Sequence, residues 1–263
     1  MNPPEISVIT TSMNLGQYLE ECILSVDQQR QWFDAKVNHL VMDGGSTDET
    51  LPILRKYADE IIPYIVPGEG QTPALNHAMR IIEEEYPDTT YIGWINADDY
   101  YQDYWLHTML TQLRQEDPDV ALVCSDAKVV GMAMGRTAFG MQRYLDLKYL
   151  GTYGNAVCQP TVLIRLSAFK KLKDLTGTYF NVDANYDCCQ DYELWYRFLI
   201  NDYRIRYIDK ITAVLRMHKL QLSLLCRAEQ IIGRDRVLKL ICDREGIPMP
   251  SWVGALKTGD KVV

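Results

Sequence analysis

Over its first 125 residues the chain alternates short runs of β-branched residues with amphipathic stretches, a pattern that few folds satisfy. It specifies βα units built on a parallel sheet. Strands are expected at ISVIT (6–10), NHLVMD (38–43), EIIPYIV (60–66), YIGWIN (91–96) and DVALVCS (119–125). After the first of these, Leu15, Tyr18, Leu19, Cys22, Ile23 and Val26 fall at helical spacing and make one apolar face.

Helix starts are less uniform. Ser46 with Glu49 resembles a capping box, but Pro52 would then lie inside the helix, which leaves a start nearer Thr50 open. Thr72 is expected to cap a helix whose first residue is Pro73, and residues 103–114 form the next helix. Periodicity is lost between Lys128 and Asn155, a segment punctuated by glycines and read as loops or a small hairpin. Regular structure is expected to return with PTVLIR, a helix opened by Ser167, the helix QDYELWYRFLI, and two strands, YRIRYI and TAVLRMH. A helical stretch from about 222 to 245 follows. No repeat, low-complexity tract or linker divides the chain, so one domain is expected over 1–221, with a helical extension at 222–263.

With 27 Lys and Arg against 35 Asp and Glu, the net charge of −8 argues against nucleic acid as a partner. The amino terminus lacks a basic segment followed by an apolar one, and no apolar run is long enough to span a bilayer. The expected location is the cytoplasm, with peripheral contact to the inner membrane face as the furthest departure from it. The seven cysteines show no CxxC spacing and are expected to be reduced, mostly buried thiols.

One stretch calls for chemistry. YIGWIN runs straight into Ala97 and two adjacent carboxylates, Asp98 and Asp99. Ionised carboxylates about 4 Å apart repel by roughly 1 kcal/mol in water and about 4 kcal/mol at an effective dielectric near 20. Either a turn in which one Asp caps the next helix, or a divalent cation, offsets that repulsion. In open α/β sheets ligands bind beyond the carboxyl ends of strands, where TTSMN, DGGSTD and NADD fall. A dinucleotide or P-loop reading fails, because the chain has neither GxGxxG after the first strand nor GxxxxGK[ST].

ISVITTSMN, VMDGGSTDETLPILRKY, GEGQTPALNHAM, YIGWINADDYY and QDYELWYRF, in this order over roughly residues 5–220, resemble the family 2 glycosyltransferases of the GT-A fold. The resemblance implies an α/β fold: a single GT-A, Rossmann-like domain with a mixed, mostly parallel central sheet. Its nucleotide-binding part would span about 1–125 and its acceptor side about 126–221. It also implies a nucleotide-diphosphate sugar donor, most often a UDP-sugar, a divalent Mn²⁺ or Mg²⁺, and inversion at the anomeric carbon. The acceptor would be a hydroxyl on a glycan, a lipid-linked sugar or another molecule.

Carried over by position, the resemblance places Thr10, Thr11 and Ser12 around the nucleoside and gives Asp43 a hydrogen bond from the base. Without it, these residues read as a strand end and an Asx turn. Gln71 and Asn76 match polar positions facing the nucleotide or sugar. Asn96, Ala97 and Asp98 stand for the DXD motif, with Asn96 in place of its first Asp. Asp98 is then the direct metal ligand, Asn96 a contact to ribose or metal, and Asp99 a residue on the sugar side. Asp191 matches the catalytic base, Gln190 stands where relatives carry an acid, and His218 stands where similar proteins have a metal-approaching histidine. Glu193, Trp195 and Arg197 read as packing and salt-bridging residues, with Trp195 also able to stack on a sugar. Tyr100, Tyr101, Tyr153, Tyr186 and Tyr192 are expected to supply aromatic surface. Two rival readings are a catalytically silent nucleotide-sugar binding protein and a sugar nucleotidyltransferase; the latter needs a basic Gly-rich loop that TTSMNLGQ lacks.

Overall fold

The expected βα units form in sequence. β1 (Glu5–Ser12) leads to α1 (Gly16–Trp32), β2 (Lys36–Asp43) to α2 (Thr50–Lys56), and β3 (Ile62–Ile65) to α3 (Gln71–Glu85). β4 (Thr89–Asn96) is followed by a two-residue strand β5 (Tyr100–Tyr101) and by α4 (Trp105–Gln115). Beyond them lie β6 (Val120–Gly131), β7 (Gly135–Arg136), β8 (Tyr144–Leu145), α5 (Leu147–Tyr153), a 3₁₀ turn at Gln159–Thr161, β9 (Leu163–Arg165) and α6 (Leu166–Thr176). The last elements are α7 (Gln190–Ile200), β10 (Arg204–Met217), α8 (Leu222–Leu225) and α9 (Arg227–Glu245). This computed structural model describes residues 3–32, 34–68, 70–137, 142–183 and 188–253.

All the strands belong to one mixed, mostly parallel sheet of order β3-β2-β1-β4-β9-β6-β10-β5, with β7 on β6 and β8 on β10. β1 pairs in parallel with both β2 and β4, so the strand order reverses there. That reversal opens a crevice at the carboxyl ends of β1 and β4, where α/β sheets bind ligands. β9 runs antiparallel between β4 and β6, and β10 returns parallel to β6.

Both faces of the sheet are buried, as the near-continuous apolar strands require. Along β4, Ile92 and Trp94 enter a large core with Leu75, Met79, Phe169, Phe180 and Phe198, while Ile95 enters a second core with Trp105, Met109 and Leu110. Full burial of each such side chain is worth about 1.5–3 kcal/mol. Tyr101 stacks on Trp105 with ring centroids 3.7 Å apart, and the two rings fill the space above Gly93. Val237, Leu238 and Ile241 of α9 are fully buried in the larger core, so the carboxyl-terminal helix belongs to the same domain. Among the described residues, no helix is long and apolar enough to cross a membrane.

α2 starts at Thr50, the start left open by Pro52, which falls in the first turn, where its missing N–H is not needed. Several other local expectations are corrected. α3 starts at Gln71 behind Gly70, so Thr72 caps nothing; its hydroxyl is buried without a partner. Ser167 does not open α6, which begins at Leu166 without a side-chain cap. The two strands expected at 203–208 and 212–218 are one, because β10 keeps its pairing with β6 through register shifts between Ile208 and Ala213. The segment read as irregular holds the end of β6, two short strands and α5. Finally, Cys188 and Cys226 form a disulfide between the start of α7 and the start of α9. Packing of α7 against α9 brings together two cysteines whose spacing in sequence carries no motif. Cys22, Cys124, Cys158, Cys189 and Cys242 are free and buried, as expected.

Candidate active site

The loops after β1 and β2 are tied together where they leave the sheet. Asn14 accepts from the Thr47 amide at 2.8 Å, Ser46 Oγ accepts from the Asn14 amide at 2.7 Å, and Asp48 accepts from the Gly16 amide at 2.9 Å. Asp43 holds the turn below them. One of its carboxylate oxygens accepts from the Gly45 and Ser46 amides and the other from the Ser46 hydroxyl. The side chain is fully buried, with a single lone pair of Oδ1 not engaged by these bonds.

Of the three residues expected around the nucleoside, Thr10 is turned away. Its hydroxyl meets His39 Nε2 at 2.9 Å within the core, where burial pushes the His39 pKa down to about 3. Strand alternation puts Thr11 on the other face, at the crevice. Ser12 Oγ is buried without a partner.

Beneath the crevice lies a floor of amides. Asn96 Oδ1 accepts from Thr11 Oγ1 at 3.1 Å and from Gln71 Nε2 at 2.8 Å, and Asn96 Nδ2 donates to Gln159 Oε1 at 3.3 Å. Gln159 in turn donates to the Trp94 carbonyl at 2.7 Å. Gln71 uses its amide hydrogens on Thr11 and Asn96, so its oxygen accepts from Gln190 Nε2. The chain of contacts Asn96–Gln71–Gln190 joins the end of β4 to the start of α7.

The adjacent carboxylates coexist by facing different ways. Asp99 turns inward, where Oδ1 accepts from the Arg216 amide at 2.8 Å, and burial together with the Asp98 charge raises its pKa well above the usual carboxylate range. Asp98 faces His218, with Oδ2 3.0 Å from Nε2. The Leu220 amide donates to His218 Nδ1 at 3.2 Å, so that nitrogen carries no proton and the Nε2–H points at Asp98. Arg216 binds the Asp98 carbonyl at 2.8 Å, pairs with Glu21, and lies over the rings of Tyr18 and Tyr100.

These residues could serve a divalent cation. Asp98 Oδ2 is a hard oxygen ligand of the kind such ions accept, and His218 would join it through Nε2 once that nitrogen gave up the proton it directs at Asp98, 3.0 Å away. No group of three or more His, Cys, Asp or Glu side chains able to hold an ion occurs among the described residues. Small hard cations at phosphates are commonly held by one or two protein ligands, with phosphate and water completing the shell.

Asp191, at the first turn of α7, accepts from Asn155 Nδ2 at 2.7 Å and from the Tyr192 amide at 2.7 Å. Burial raises its pKa, and these two hydrogen bonds oppose the rise. Other expected residues serve the fold instead. Asn76 bonds both backbone polar groups of Phe180, and Ala97 packs with Leu19, Ile23 and Val41. Trp195 is fully buried and cannot stack on a sugar; Tyr101 and Tyr192 are likewise buried, the latter donating to the Leu150 carbonyl at 2.7 Å. Glu193 and Arg197 form a buried ion pair at 2.8 Å, as expected. Tyr153 is exposed, and Tyr186 lies outside the described residues. Sequence reasoning missed Arg216, Gln159 and Asn155. The one faint signal was a basic residue two positions before His218 at the end of an apolar run.

A mixed sheet with its polar residues at this switch point defines a GT-A fold. The family model for glycosyl transferase family 2 matches residues 7–172, more than half of the chain, and the chain belongs to that family. Asp191, Arg216 and His218 lie beyond the matched span. Two uncharacterised glycosyltransferases, from Rickettsia typhi and Rickettsia prowazekii, are each 26% identical to it over 74% of this chain. The chain spans 59% and 58% of the length of these relatives. The structure of Staphylococcus aureus TarS 1–349 in complex with UDP-GlcNAc is similar in fold, with a TM-score of 0.64 and 18% identity over 91% of this chain and 66% of that one. A mannosyltransferase from Pyrobaculum calidifontis in complex with GDP-Man and Mn²⁺ gives a TM-score of 0.61 at 17% identity, covering 90% and 65%.

Proposed function

We propose that this chain transfers a sugar from a nucleotide-diphosphate sugar, with UDP as the preferred nucleotide, to an acceptor hydroxyl with inversion. The observation that carries the reading is the line of side-chain contacts from Asn96, two residues before Asp98, through Gln71 to Gln190, the residue before Asp191. It ties the end of β4, which leads into Asp98, to the start of α7, which carries Asp191. The two similar structures hold UDP-GlcNAc and GDP-Man, which accords with a nucleotide-sugar donor.

In this reading Thr11 and Ser12 border the nucleoside, and Asp43 Oδ1 accepts from the N–H of uracil. An ionised carboxylate can accept there but cannot donate to the ring nitrogen of cytosine. Asp98 and His218 would hold Mn²⁺ or Mg²⁺, which when bound neutralises charge on the leaving diphosphate. Arg216 steadies the Asp98 backbone beside them. Asp191 takes the proton of the acceptor hydroxyl as it attacks, and its raised pKa makes it a stronger base than an exposed carboxylate. A single displacement needs the base and the leaving group on opposite sides of the anomeric carbon, and it inverts that carbon.

Asp191→Asn tests the assignment. It keeps size and one of the two accepted hydrogen bonds but removes the base, so turnover is expected to fall by at least about 10²-fold. Nucleotide affinity and the circular dichroism spectrum should hold. Substantial turnover by the folded variant, or a retained anomeric configuration in the wild-type product, would sink the proposal. A wild type that binds UDP-sugars and neither transfers nor hydrolyses them would instead select the silent binding protein.

A further inference from the structure

Asn155 sits on the loop that joins α5 to the 3₁₀ turn, and its side-chain contacts are lopsided. Nδ2 donates to Asp191 Oδ2 at 2.7 Å, whereas Oδ1 is buried with no partner. An unpaired buried acceptor costs about 1–3 kcal/mol. A residue present only for packing would be apolar or satisfied at both ends. The side chain makes its one hydrogen bond to the carboxylate, at the expense of its own oxygen.

The frame around that bond is stiff. Tyr192, next to Asp191, donates through its hydroxyl to the Leu150 carbonyl at 2.7 Å, and the Gly154 amide donates to the same carbonyl at 2.9 Å. α5 is locked in turn against α9, where a β-carbon on Gly151 would lie 2.9 Å from Ile241. The far end of the same loop carries Gln159, which binds Asn96 and the Trp94 carbonyl. One short loop therefore touches Asp191 at one end and the amide floor at the other.

We infer that Asn155 is a positioning residue that holds the Asp191 carboxylate in the orientation a general base requires. The inference rests on the reading of Asp191 as the base. One carboxylate oxygen is fixed by the Tyr192 amide and the other by Asn155, so the plane of the group is set from both sides. The same bond favours the ionised form, against the burial that raises the pKa of Asp191. No charged side chain is among the groups that shift it. The titratable groups that interact with Asp191 are Cys189 and Tyr192, and behind them stand Arg234 and, on the Cys189 side, Glu193 and Asp235. Glu193 is paired with Arg197 and Arg234 with Asp235.

The test uses the full chain and three variants, N155A, N155D and D191N. Carbon-13 NMR follows the Asp191 carboxyl through a pH titration, with its resonance assigned by its loss in D191N. In parallel, UDP release from UDP-N-acetylglucosamine and UDP-glucose gives the pH profile of turnover. Removing a hydrogen bond to a charged group should raise the Asp191 midpoint by about one pH unit. The acid limb of kcat should move up with it, while KM for the donor stays put. N155D keeps the shape but sets a second carboxylate against the first, so its shift should be larger. An Asp191 midpoint that is the same in wild type, N155A and N155D overturns the inference, even if D191N is inactive. A fully active D191N overturns the base assignment itself and the inference with it.

Discussion

Gly131 closes β6 with φ at +100°, and a β-carbon there would lie 2.4 Å from the carbonyl oxygen of Met217. Real β-carbons essentially never come within 3.0 Å, so Gly131→Ala must part β6 from β10 by at least 0.6 Å, the difference of the two distances. The backbone conformation itself costs a non-glycine residue about 1–3 kcal/mol, and the overpacking costs about 1–3 kcal/mol more. In a chain of this size, the sum corresponds to a fall in Tm of at least about 4 °C. The consequence for function follows from position. Met217 immediately precedes His218, whose ring lies 3.0 Å from Asp98, and the same carbonyl accepts from the Met132 amide at 2.8 Å. Pushing Met217 aside should therefore weaken UDP binding in Mn²⁺ while leaving the metal-free affinity as it was. Differential scanning fluorimetry reads the first effect and titration calorimetry the second. A variant that melts with the wild type and binds UDP with Mn²⁺ equally well would refute the idea that the pairing of β6 with β10 sets the position of His218.

Asp98→Asn should reduce UDP binding in Mn²⁺ to the level seen in excess chelator, as measured by calorimetry; equal wild-type affinity with and without chelator would remove the metal from the site. Cys226→Ser opens a loop of 38 residues, which in the chain-entropy picture costs about 4 kcal/mol. Urea denaturation should show a loss of up to that size, matched by adding reductant to the wild type, and curves unchanged by either would mean that the pair is not closed.

The βα frame was legible because strands buried on both faces read as apolar runs, and because α1 keeps its apolar residues on one face. Which strand residue faces the crevice was not. Thr10 and Thr11 are chemically alike, and only the pleat within the assembled sheet sends one into the core beside His39 and the other toward Asn96. Trp195 illustrates the same limit on a helix. α7 is covered by neighbours on several sides, so an aromatic residue one turn from Asp191 belongs to the core rather than to the crevice. Arg216 was illegible for a different reason. It reaches the acidic pair from 117 positions away in sequence, through a strand whose bulges at Asp209 and Lys210 look like a break. Asp98 and His218 could be singled out together because each ends a strand run in a polar residue, yet their 3.0 Å contact is a product of the sheet order.

The Cys188–Cys226 closure has a topological consequence. α7 and β10 both lie between the two cysteines, so Gln190, Asp191, Arg216 and His218 belong to one covalent ring, whereas Thr11, Gln71, Asn96 and Asp98 lie outside it. The crevice is thus a seam between a closed circuit of chain and an open one. A nick anywhere inside the circuit leaves its two ends fastened, and the base-bearing helix stays tethered to the histidine-bearing strand. After such a nick, reduction of the disulfide is the step that sets these two contributors to the site free of each other.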